Sequence, residues 1–118
     1  MIVLAGCGSD PAGAQASAAA VAFVQAEPSR ACGLLAPDTE DALARNKGTP
    51  CAQALADLHL PTAAEVRAVD VEAESAQVRM DGQVLFLARF PDGWRVTAAG
   101  CVRSDPDPAV PYECEVEP

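Results

Sequence analysis

A chain of 118 residues is long enough for one hydrophobic core and too short for two. Eight Lys and Arg against seventeen Asp and Glu leave a net charge of −9, which argues against nucleic acid and anionic lipid surfaces as partners, since both need a basic footprint. Half of the residues are apolar, so the composition is globular, but one Trp, one Tyr and three Phe leave alanine to supply much of a thin core.

Cysteines stand at 7, 32, 51, 101 and 114, an odd count that sets one of them apart. The first ends Leu4-Ala5-Gly6-Cys7, which resembles the lipobox of bacterial lipoproteins. In that family small residues fit the signal peptidase, and the cysteine thiol receives a diacylglycerol before cleavage. The resemblance implies lipidation of Cys7, a residual signal segment over 1–7, and anchoring to the outer face of the cell membrane. A signal peptide needs a basic region and ~7–15 apolar residues before its cleavage site. Too few precede Cys7, so the true start is expected upstream of Met1. Residues 8–13, Gly-Ser-Asp-Pro-Ala-Gly, read as a flexible tether, and 14–118 as a single domain.

Ala14 to Glu27 is a predicted helix, rich in alanine and stopped by Pro28. Ser29 is expected to cap a short helix through Ala36, and Asp38 or Thr39 a third through Arg45 that stops at Lys47-Gly48. Thr49-Pro50 opens a fourth over Cys51–Leu58, which Leu60-Pro61 terminates. Its Cys51, Ala54, Leu55 and Leu58 form one apolar stripe, and Cys32 with Leu35 forms another on the preceding helical stretch. Four cysteines allow three connectivities, and spacing alone does not choose. Helical phase favours Cys32 with Cys51, which leaves Cys101 with Cys114. Zinc is the rival reading, but no pair has the close C-x₂₋₄-C spacing that structural zinc sites use. Neither a metal nor another cofactor is expected.

The period then changes from helical to alternating. Ala76, Val78 and Met80 alternate with Gln77, Arg79 and Asp81; Val84, Phe86, Ala88 and Phe90 with Gln83, Leu85, Leu87 and Arg89; Trp94, Val96 and Ala98 with Arg95, Thr97 and Ala99. Asp81-Gly82 and Pro91-Asp92-Gly93 supply hairpin turns between these runs. With Val66–Ala73 in front, the expectation is α+β: helices packed on one concave face of a curled antiparallel sheet of about four strands, braced by disulfides. A proline-rich loop at 106, 108 and 111 leads to a short edge strand over Tyr112–Val116.

Ala31-Cys32-Gly33-Leu34-Leu35-Ala36-Pro37, the Cys51-x-x-Ala54-Leu55-x-x-Leu58 stripe, Phe90-x-x-Gly93-Trp94-Arg95-Val96-x-Ala98-Ala99-Gly100-Cys101 and Pro111-Tyr112-x-Cys114 together resemble small secreted lipoproteins of high-GC Gram-positive bacteria. Those proteins look like relatives of the nuclear transport factor two-like (cystatin-like, SnoaL-like) superfamily. The resemblance runs from about Ala14 to the end and implies a cone-shaped α+β domain, with no activity to carry over.

Enzymes of that superfamily use a carboxylate base with a tyrosine hydroxyl in the pocket. Here Tyr112 is the single tyrosine and falls inside the terminal disulfide loop, while Asp70, Glu72 and Glu74 alternate with Val69, Val71 and Ala73 and are expected to face water. His59 is the one histidine, read as a solvated helix cap without a partner for catalysis or metal binding. Phosphate-binding glycine loops, serine elbows and calcium loops are absent from the sequence. The expectation is a non-catalytic envelope lipoprotein that acts as a protein-interaction module toward another envelope or secreted protein, and touches the membrane through its lipid anchor only. The alternative is a small apolar ligand or lipid held in the concave face by Phe86, Phe90 and Trp94. An isomerase or hydratase is the third reading.

Overall fold

A computed structural model describes residues 11–118. Cys7 and the expected lipobox over Leu4-Ala5-Gly6 lie outside the described residues. Helices α1 (Pro11–Gln25), α2 (Pro28–Cys32), α3 (Pro37–Lys47) and α4 (Cys51–Leu58) precede strands β1 (Val66–Glu72), β2 (Ser75–Met80), β3 (Gln83–Phe90), β4 (Gly93–Val102) and β5 (Glu113–Val116). The five strands form one antiparallel meander in sequence order. The architecture is therefore α+β, with five strands in an open, uncurled sheet where about four curled strands were expected. The fifth strand is β5, the short edge strand expected over Tyr112–Val116, joined to β4 by the Cys101–Cys114 bridge and by pairing from Ala99↔Val116 to Val102↔Glu113.

Pro11–Gly13, expected as tether, belong to α1. Alanine carries little side-chain entropy into a helix, so the run propagates back to the proline, whose missing N–H costs nothing in a first turn. The helix buries Ala16, Ala20 and Phe23, one stripe at i, i+4 and i+7, and it reaches all four strands β1–β4. Small residues at the contact let helix and sheet approach closely.

The second helix is shorter than its sequence suggests, and its cap differs. Glu27, not Ser29, is the N-cap: its carboxylate accepts from the Ser29 backbone N–H at 2.9 Å and from the Ser29 hydroxyl at 2.7 Å. The helix stops at Cys32 because the next residues serve the sheet. Val96 N–H donates to the Leu34 carbonyl at 3.0 Å, and Ala36 N–H donates to the Val96 carbonyl at 2.8 Å. This bridge covers β4 just beyond the reach of β5, where its backbone groups would otherwise go unpaired.

In α3 the expected Asp38 or Thr39 cap is replaced by Ala36, with Pro37 in the first turn. Thr39 turns inward instead and donates its hydroxyl to the Thr97 carbonyl at 3.0 Å. Gly48, at φ 67, closes this helix, and His59, at φ 50, closes α4 as an exposed C-cap.

The core lies between helices and sheet: Phe23, Leu35, Leu43 and Leu55 from the helical half meet Val78, Met80, Leu85, Leu87, Val96 and Val116. Fully burying each such aliphatic side chain stabilises by about 1.5–3 kcal/mol. Val84, Ala98 and Cys101 form a second, smaller cluster with Phe86, Tyr112 and Cys114 against it. The expected common face of Trp94, Val96 and Ala98 is thereby divided. Register shifts between β3 and β4 on either side of Phe86 break the strict alternation.

Candidate functional site

Both expected cysteine pairs stand at bonding distance. Cys32–Cys51 joins α2 to α4 with a Cα separation of 6.1 Å, and Cys101–Cys114 joins β4 to β5. Two disulfides suit an oxidising, extracytoplasmic environment. Among the described residues, no helix is long and apolar enough to cross a membrane.

The three aromatic residues expected to share a ligand cavity do not meet. Phe86 packs edge-to-face on Tyr112 with ring centroids 5.4 Å apart, at the small second cluster. Phe90 lines a separate hollow of about 210 Å³ with Ala36, Pro37, Thr97 and Pro118. Trp94 packs against the main core instead, with the Arg89 guanidinium 4.8 Å above its ring. Its indole Nε1 is buried without a hydrogen-bond partner among the described residues. Pairing of Phe90 with Gly93 and of Arg89 with Trp94 sets Trp94 on the sheet face opposite to Phe86 and Phe90, so strand register at the turn keeps the three apart.

The carboxylates Asp70, Glu72 and Glu74 are exposed. Tyr112 is half-buried and accepts from the Gln77 amide at 3.3 Å, with Arg103 4.5 Å over its ring. No carboxylate is paired with that hydroxyl in these contacts. Hydrogen bonds from Arg67 hold the Asp81 carboxyl below its ordinary range, and those from Arg95 do the same for Asp92. Both stabilise the ionised form at the surface, as ion pairs do. No group of three or more His, Cys, Asp and Glu among the described residues could hold a metal ion.

The feature that sequence reading missed is a groove at the β5 end of the sheet. Leu58, His59, Leu60 and Pro61 form one wall, and Gly100, Val102, Glu113, Cys114 and Glu115 form the other, around a volume of about 490 Å³. Gly100 makes the close approach possible. Its φ is +66, and a Cβ there would stand 2.8 Å from Leu60 Cδ2. Gln83 ties both walls together, donating from its amide to the Pro61 carbonyl at 2.9 Å and accepting from the Gly100 N–H at 2.8 Å. This side chain is only 3% exposed, so both halves of its carboxamide are spent on the scaffold.

Two properties suit the groove to a partner. Val102 is 48% exposed, the one large exposed hydrophobic residue among those described. Strand β5 ends the sheet, so its outer backbone edge has no strand partner among the described residues. Glu113 and Glu115 are exposed on that strand, with Glu117 just beyond it. The sequence did signal the strand, through Tyr112–Val116, but the opposing wall comes from the α4–β1 connection far away in the chain. Comparison with protein-family models, curated proteins and solved structures found no match.

Proposed function

We propose that this chain is a non-catalytic, envelope-anchored lipoprotein whose domain is a protein-interaction module, docking an envelope or secreted partner at the β5 groove. The observation that carries this reading is the open strand edge of β5 beside exposed Val102. An unpaired edge offers backbone donors and acceptors to an added strand, and an adjacent apolar residue supplies a side-chain contact. Glu113 and Glu115 oppose pairing with a second copy of the same acidic strand and favour a basic, extended segment. The lipid anchor rests on Leu4-Ala5-Gly6-Cys7, and the two disulfides accord with export. Kinship with the nuclear transport factor two-like superfamily belongs to the same proposal, supported by the order of helices followed by an antiparallel sheet.

A photo-crosslinking residue placed at Val102 in the producing cell tests the reading, with Arg45 on α3 as the control position. A discrete adduct from 102, absent from 45 and weakened about tenfold by Glu115→Lys, is the expected result. Equal labelling from both positions, or no adduct from 102, would overturn it. Interaction is preferred over apolar-ligand binding because Phe86 and Phe90 line separate hollows while Trp94 packs against the main core.

A further inference from the structure

The two disulfides differ in what surrounds them. Cys32 and Cys51 are 5% and 9% exposed, and both belong to the main core between helices and sheet. Cys101 is fully buried, but its partner Cys114 is half-buried on an edge strand and forms part of the wall of the open β5 groove. Thiol–disulfide exchange needs a thiolate to reach one of the two sulfurs, so access decides which bond reacts first.

We propose that Cys101–Cys114 is a thiol-exchange site, opened by an external dithiol through attack on Cys114 from the groove, while Cys32–Cys51 stays closed. In the first step a thiolate of the dithiol bonds to Cys114 Sγ. The Cys101–Cys114 bond breaks, and its electron pair goes to Cys101 Sγ, which takes up a proton. The second thiol of the reductant then attacks the mixed disulfide, closes the reductant's own disulfide and releases Cys114 as a thiol. Two electrons and two protons pass in all from the dithiol to the cystine.

The consequence lies in the strand order. Strand β5 has four residues, and once the bond is open it is held by its ladder to β4 and by buried Val116. Its release uncovers the β4 edge over Ala99–Val102, so the sheet presents a new strand edge in the reduced form. This inference does not rest on the interaction reading, since it concerns which bond an external thiol reaches.

The test is graded reduction of the folded domain with dithiothreitol, trapping by alkylation and peptide mapping, alongside amide hydrogen exchange. Alkylation at 101 and 114 is expected to run roughly tenfold or more ahead of 32 and 51. Faster exchange is expected at 99–102 and 113–116, with the helices still protected. Simultaneous reduction of both bonds, or earlier reduction of Cys32–Cys51, would overturn the site. A Cys101→Ser/Cys114→Ser variant tests the release separately. Selective loss of protection in β5 supports it, and unchanged protection, or a variant that cannot fold, refutes it.

Discussion

The helix-backed side of the sheet and its β4–β5 end are built from similar means with different results. Each has one disulfide and one apolar cluster. On the helical side the bridge joins α2 to α4 within a core supplied by all four helices and strands β2–β5, with β1 packed against it. At the other end the bridge spans adjacent strands beside a much smaller cluster, and the strand it retains faces an open groove. The closed loops are similar, with sequence separations of 19 and 13, so the chain-entropy contribution of each bond is about 3 kcal/mol. Local packing therefore sets the difference between the ends. One side holds the fold together, and the other retains an edge that can be exposed.

The strongest way to break this comparison is to truncate one residue from each cluster. Leu85→Ala, in the main core, is expected to cost about 2–5 kcal/mol in denaturant unfolding. Phe86→Ala removes a larger side chain, but it is half-buried beside Tyr112 and is expected to cost less. Equal losses would mean that the second cluster contributes as much as the first. Gly100→Ala probes the seam between the walls of the groove. A Cβ there would press on Leu60 and Glu115 in backbone of positive φ, so a loss of about 1–3 kcal/mol is expected, with amide exchange accelerated around Gln83 and Gly100. Smallest is Ala73→Gly in the β1–β2 turn, far along the sheet from β5. Ala73 sits at φ 54, and relief of that strain is expected to raise stability by about 0.5–1 kcal/mol, read as a rise in melting temperature, with the groove unchanged.

That turn also shows where local sequence stops informing. Asp81-Gly82 marks the β2–β3 hairpin because glycine accepts φ 87 without a Cβ clash. The β1–β2 turn, Ala73-Glu74, carries no such residue. Pairing of Glu72 with Ser75 holds Ala73 in the left-handed region, so long-range ladder formation overrides local preference. Thr39 and Ser29 show the same contest. Both are good capping residues by type, but Thr39 is drawn inward by the Thr97 carbonyl, and Ser29 donates to the carboxylate of the true cap, Glu27. Of the candidate site, the sequence disclosed the cysteines and the short edge strand over Tyr112–Val116. It concealed the groove, whose opposite wall is Leu58–Pro61, brought close through Gln83 and the missing side chain of Gly100.

By itself the sequence determined the class of the fold. Alanine-rich stretches broken by prolines make helices, a period of two with glycine turns makes an antiparallel sheet, and helical phase aligns Cys32 with Cys51. These properties follow from local sterics and periodicity, which neighbouring residues carry among themselves. Tertiary structure alone decided how Val96 and Ala98 part to opposite faces of β4, how β4 divides its edge between Leu34–Ala36 and β5, and which disulfide borders open solvent. Those outcomes depend on bulges and on backbone groups finding partners from distant parts of the chain. A two-residue period loses its phase at the first bulge, and nothing local to the strand restores it.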